Sequence, residues 1–296
     1  MTHETLDRRS RLMLWGARAS MTTALCLIAL KAWGGWKTHA LTLWTLMADS
    51  FLDVIASTIN FLFIRQAVRP PDESFPYGYG KAEAIAALSQ SYIILFSALI
   101  LIYEDIRALL HPRSITNVHF GTWILGLSWL ITLLLLLFLL YIVRKTHSNA
   151  IRADAFHYQT DLLTNLGGIL SLWFIQRYRW SWIDPAFSMI IVLYMISGAL
   201  RLTRASIHEL LDKADPKIRE RVFQAVRNFH PKIRNPHDFR ARRVGSRLFI
   251  ELHVEIDRRL SFEDAHDLAE DLIDRIRQEF PDTEVTVHVD PEGTSR

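Results

Sequence analysis

The chain has 296 residues, half of them hydrophobic, and a mean hydropathy of +0.12, too apolar for an ordinary soluble domain of this size. A net charge of +3, with acids and bases intermixed and no basic block, excludes a nucleic-acid-binding tail. Cys26 is the single cysteine, which excludes an intramolecular disulfide and a cysteine-built zinc cluster.

Six apolar spans are predicted in chain order: about Met13 to Trp36, Leu41 to Ile64, Ala84 to Leu110, Phe120 to Val143, Ala150 to Gln176 and Trp182 to Leu202. The polar start, Met1 to Arg11, leads into a first span that runs past Arg18 without a small-residue cleavage site, so it reads as a retained helix and not a signal peptide. The fourth span has no charged residue and meets the length and purity of a membrane-crossing helix. The second and fifth are expected to score poorly on hydropathy, because each carries polar residues. Arg8, Arg9 and Arg11, then Arg65, Arg69 and Lys81, then Arg144, Lys145 and Arg152 place one set of loops on the cytoplasmic side, with both termini. Trp36, Trp44, Trp180 and Trp182 fit an aromatic belt at the far interface.

From Asp212 the composition turns soluble. Pro216 to Phe229 reads as a helix with proline in its first turn. Asp238 to Val244 and Leu248 to Ile256 read as paired strands joined at Gly245-Ser246, the second alternating strictly. Ser261 to Phe280 is a helix with a capping box at Ser261 and Asp264, and Glu284 to Val289 a last strand. The expected architecture is thus an all-α, six-helix transmembrane bundle over residues 1–211. A small cytoplasmic α+β domain follows over 212–296: ferredoxin-like and metallochaperone-like in its αββαβ order, with helices on one face of the sheet.

Two pairs carry the chemistry. Asp49 and Asp53 lie four residues apart in the second span, and His157 and Asp161 four apart in the fifth. Four residues is slightly more than one helical turn, so each pair projects from one face. Intramembrane carboxylates are costly and point to function, and neighbouring ones repel unless a cation or protons intervene. Three carboxylates and one imidazole make a four-coordinate oxygen and nitrogen site suited to a divalent transition metal, zinc above all. Metal and protons would compete for the same donors, and an imidazole ordinarily titrates close to neutral pH.

These pairs resemble the Asp-x-x-x-Asp and His-x-x-x-Asp motifs of the cation diffusion facilitators, and the similarity extends through Gly78-Tyr79-Gly80-Lys81-Ala82-Glu83 and the cytoplasmic domain. The resemblance implies a homodimer in the bacterial inner membrane. It implies that zinc, or ferrous iron or cadmium, is exchanged for protons by alternating access, with Asp49, Asp53, His157 and Asp161 as the transport site. It implies that His237, His266 and Asp290 hold one cytoplasmic ion, and His253, His288 and Asp290 a second, with Asp290 as bridge. It also implies a charged interlock between Lys81 and Asp212. One departure stands out: relatives often carry a loop site made of an Asp and two His. Here Asp72 matches while the histidine positions are Phe75 and Tyr79, so this site is expected to be weak or lost. The glycines near Lys81 do not form a phosphate loop, and no nucleotide is expected.

Two other readings compete with transport. An intramembrane metalloenzyme would need an open metal position and a separate base or nucleophile, and neither is evident, so no enzyme is expected. A metal-dependent membrane scaffold or sensor would act through the cytoplasmic domain, and altering Asp161 would leave it intact.

Overall fold

The computed structural model describes residues 3–38, 41–110, 119–178 and 182–293, and in the second helix the side chains from Ser50 onward. Six long helices come first: α1 (His3–Thr38), α2 (Leu41–Ala67), α3 (Ala82–Leu110), α4 (His119–Thr146), α5 (Asn149–Tyr178) and α6 (Ile183–Leu210). Then follow α7 (Pro216–Arg227), β1 (Ile233–Val244), β2 (Arg247–Ile256), α8 (Phe262–Glu279) and β3 (Thr283–Pro291). The chain forms two compact units. One comprises Leu6–Arg69 and Ala82–Ile207, the other Met1–Thr5, Pro70–Lys81 and His208–Arg296.

Among the described residues four helical stretches are long and apolar enough to cross a membrane: Arg8–Trp33, Ala82–Arg107, Gly126–Thr146 and Pro185–Leu210. α2 and α5 are not among them, although they are 27 and 30 residues long. These two helices carry the polar pairs. Leu130, Leu134, Leu137 and Tyr141 on α4, and Tyr92, Phe96, Leu99 and Tyr103 on α3, are exposed at helical spacing, as lipid-facing stripes are. Trp36 and Trp182 are exposed as well; the Trp44 side chain and residue Trp180 lie outside what the structure describes.

α1 starts at His3, about two turns before the polar stretch that reads as a tail ends at Arg11. Arg9 explains the extension: its Nη2 lies 3.2 Å from Glu83 Oε2 and its Nε donates to the Thr146 carbonyl at 2.9 Å. Glu83 is buried and also accepts from the Asn149 N–H at 2.8 Å, so it caps the start of α5.

Met13 and Ala17 of α1 pack with Leu135, Leu139 and Ile142 of α4 and Ile151 and Ala155 of α5. Ala17, Ser20 and Ala24 are all fully buried, the small residues that let membrane helices approach closely. Gly198 of α6 does the same for α5. A Cβ there would sit 2.0 Å from Phe156 Cζ, so only glycine admits the ring, one residue before His157.

The second unit is a three-stranded sheet in the order β1-β2-β3, with β1 and β2 antiparallel and β2 and β3 parallel. Leu248, Ile250, Leu252, Val254 and Ile256 turn one face of β2 toward Val222 and Val226 of α7 and Leu272, Ile273 and Ile276 of α8. Burying each such side chain stabilises the domain by about 1.5–3 kcal/mol before entropy is counted. Asp215 caps α7 by accepting from the Lys217 N–H at 2.9 Å, and Pro216 occupies the first turn. Ser261 Oγ caps α8 by accepting from the Asp264 N–H at 3.1 Å. Order and pairing are those expected of an αββαβ domain.

β1 begins at Ile233, five residues earlier than its alternation predicts. Asn235-Pro236 reads as a break, yet an edge strand tolerates proline. The register shifts between Arg234 and His237 and again between His237 and Arg240, and Asn235 and Asp238 both take positive φ, 46° and 45°. These bulges hide the strand from a period-two pattern and re-aim His237.

Two candidate metal centres

The first centre joins α2 and α5. His157 Nε2 lies 3.2 Å from Asp53 Oδ1 and 3.7 Å from Asp161 Oδ2. The three donor atoms lie within 4.8 Å of one another, the spacing of ligands around one ion. His157 is buried; Asp53 and Asp161 face a cavity of about 150 Å³. Thr132 of α4 and Thr164 and Asn165 of α5 also line it. Asp49 is in α2 one turn before Asp53, and its side chain lies outside the described residues.

Beneath the centre runs a polar network that pattern reading did not assign. Tyr158 OH is 2.9 Å from Ser57 Oγ and donates to the Ser20 carbonyl at 3.2 Å. Ser20 Oγ donates to Asp154 Oδ2, and Asp154 is fully buried. These bonds tie α1, α2 and α5 together and fix how α5 presents His157. Asp154 stands three residues before His157, and a second carboxylate in that span, beside Asp161, was the available signal.

The second centre lies on the sheet face opposite α7 and α8. His237 pairs with His253 across β1 and β2, and His253 with His288 across β2 and β3, so three histidines form one rung. Asp290, two residues beyond His288 on β3, points the same way. Its Oδ2 lies 3.0 Å from His253 Nδ1 and 3.4 Å from His237 Nε2, while Oδ1 lies 3.5 Å from His288 Nε2. The carboxylate thus faces two histidines with one oxygen and the third with the other. Its donors suit a divalent transition ion: His237, His253 and Asp290 offer atoms within 4.8 Å of each other. His237 Nδ1 is 2.8 Å from the Asn235 carbonyl, which as a donor leaves Nε2 free for an ion. His266 is not in this group. It sits on α8, the helix on the other face, with its ring stacked on Phe262.

Asp72 in the loop between α2 and α3 spends its carboxylate on hydrogen bonds. Oδ1 accepts from the Ser74 and Phe75 N–H groups at 3.0 and 2.9 Å, and Oδ2 from Tyr79 OH at 2.6 Å. The Phe75 and Tyr79 rings meet at 4.5 Å. Tyr77 packs edge-on against Phe249 at 5.3 Å, with the Arg242 guanidinium 4.0 Å above its ring. Lys81 Nζ lies 2.9 Å from Asp212 Oδ2 and donates to the Leu210 carbonyl at 3.3 Å.

A membrane protein with carboxylate and imidazole donors gathered between two of its helices belongs, as a class, with carriers of metal cations. The family model described as the cation efflux transmembrane domain matches residues 17–211, and that of the cation efflux protein cytoplasmic domain matches residues 214–292. The chain is 36% identical over 282 residues to the cation-efflux pump FieF of Pectobacterium atrosepticum, covering 95% of this chain and 94% of that one. With the FieF pump of Klebsiella pneumoniae it shares 36% identity over 275 residues, 93% of this chain and 91% of that. Among solved structures, the metal-bound C-terminal domain of the CzcD transporter from Thermotoga maritima is 36% identical, covering 27% of this chain and 93% of that one with a TM-score of 0.26. The chain belongs to the cation efflux family, the cation diffusion facilitators, and is a cation efflux transporter and not an enzyme.

Proposed function

We propose that this transporter exports zinc, with ferrous iron or cadmium as further substrates, from the bacterial cytoplasm in exchange for protons. The observation that carries the reading is the meeting of Asp53, His157 and Asp161 from two helices in one intramembrane cavity. An imidazole with carboxylates binds zinc and ferrous iron alike, and ligand type alone separates the two poorly. Each donor must shed its proton to bind metal, so metal release and protonation are two sides of one exchange. Asp49, one turn from Asp53, supplies the fourth donor. All six long helices cross the membrane, both termini face the cytoplasm, and residues 212–296 form the cytoplasmic domain.

The sheet centre is a resident site. His237, His253, His288 and Asp290 hold ions there. Bound metal neutralises the clustered donors and stabilises a homodimer. The Lys81–Asp212 pair acts as a charged interlock at the cytoplasmic surface. The Asp72 loop binds no zinc, because its carboxylate is already satisfied by hydrogen bonds and its neighbours are aromatic.

Zinc uptake into sealed proteoliposomes under an imposed pH gradient tests the reading, with wild type set against Asp161→Ala. Gradient-dependent flux in wild type and none in the variant is expected. Normal flux in the variant removes the membrane centre from the mechanism. Flux that survives Asp161→Ala but disappears in Asp290→Ala would shift the function to the cytoplasmic domain as a metal sensor.

A further inference from the structure

Lys31 lies within the first membrane stretch, Arg8–Trp33. A lysine two residues from the end of such a stretch ordinarily extends its stem and sends the ammonium to the interface. This one turns inward. Its Nζ donates to Ser50 Oγ at 2.6 Å, and Ser50 is fully buried on α2. Ser50 is three residues from Asp53 and next to Asp49 in the chain. The Lys31 side chain lines the same cavity as Asp53, His157 and Asp161. A positive charge has therefore been placed beside a site built to receive positive ions. In a medium of low dielectric, its field reaches the ligands with little screening.

Charge balance gives this placement a meaning. The ligand set of Asp49, Asp53 and Asp161 with neutral His157 carries three negative charges. A divalent ion leaves one uncompensated, and the Lys31 ammonium cancels it, so the loaded cavity is neutral. Once the ion departs, the ligand set and the ammonium together retain two negative charges. Without the ammonium the loaded site would be anionic and would hold its ion more tightly, and the emptied site would lack three charges.

We infer that Lys31 is a tethered cation of the membrane metal site, one that weakens metal binding enough for release. The inference rests on the transport site proposed above. It makes Lys31 a specificity residue as well: with it in place, only a divalent ion neutralises the cavity. The signal was present in the sequence as a lysine inside an apolar span, but the partner that turns it inward lies 19 residues away on another helix.

The test is equilibrium zinc binding to the purified full-length protein. The membrane-site share is read as the difference from the same chain carrying Asp161→Ala. Lys31→Met is expected to bind zinc about tenfold more tightly, and in proteoliposomes to show a lower KM together with slower turnover. Lys31→Gln, which can still bond Ser50, should tighten binding in the same way and serves if the methionine variant does not fold. Lys31→Arg keeps the charge and should stay on the wild-type side of that gap. Unchanged affinity in the neutral variants would show a lysine that only reaches for the interface and would overturn the inference. So would an arginine variant indistinguishable from methionine, since packing and not charge would then be at work. A wild type that binds zinc at the membrane site without moving it would sink the transport reading and still leave the Lys31 comparison readable.

Discussion

The two candidate metal centres use similar donors in opposite settings. The membrane centre is rich in carboxylates, enclosed between helices, and built from pairs four residues apart. The sheet centre is rich in histidine, partly open to solvent, and assembled from strands far apart in sequence. The enclosed centre cannot stand empty and fully ionised, because its charges repel in a medium that screens poorly. In the proposed exchange, protons meet the loss of the ion. The open centre faces no such compulsion, because water reaches and screens Asp290. The difference teaches that exchange is a property of burial and charge more than of ligand type. One centre is suited to passing an ion on, the other to keeping it.

That contrast can be broken most sharply at Asp53. Asp53→Ala should lower zinc flux by about 100-fold or more, while zinc retained by the sheet centre after gel filtration stays at the wild-type amount. Loss of both would mean that the centres are not independent.

Asp290→Ala should do the reverse. It removes the carboxylate shared by three histidines, so zinc should no longer raise the unfolding temperature of the cytoplasmic domain. At zinc one hundred times Kd, that stabilisation amounts to about 2.7 kcal/mol in the intact site. Flux should fall only several-fold. A variant that zinc still stabilises fully would place the resident ion elsewhere.

Gly198→Ala probes how the membrane centre is supported. The added methyl group collides with Phe156, and overpacking of this kind costs about 1–3 kcal/mol. Thermal unfolding in detergent should show the loss, with KM rising as His157 shifts. Unchanged stability would mean that Phe156 turns aside freely.

The smallest effect is expected in the loop. Tyr79→Phe removes one hydrogen bond to Asp72, worth about 0.5–1.5 kcal/mol. Amide exchange over residues 72–80 should quicken in this variant and be indifferent to chelator in wild type. Slowing on addition of zinc would restore a metal site to this loop.

Much of this arrangement was legible in the residues themselves. Helical spacing put His157 and Asp161 on one face of α5, and a change of composition at Asp212 precedes α7, the first helix of the αββαβ unit. Capping signals at Pro216 and Ser261 marked its helices to within a residue or so at their starts. What stayed hidden depended on contacts between segments. Arg9 looks like part of a polar tail until Glu83, 74 residues away, extends α1 around it. The rung of His237, His253 and His288 requires a strand register that bulges beside Pro236 disguise. The same limit separates His266 from its companions: being a histidine in the right domain did not say which face of the sheet its helix covers. Asp154 and Lys31 were visible as charges in apolar spans, yet their partners Ser20 and Ser50 come from other helices.

The most direct test of the central claim is a proton measurement. In sealed proteoliposomes containing a pH indicator and no initial pH gradient, an inward zinc gradient should drive protons outward through wild type, so the lumen turns alkaline as zinc enters. His157→Ala should abolish both movements together. Zinc entry with no change in luminal pH would contradict exchange at a shared site.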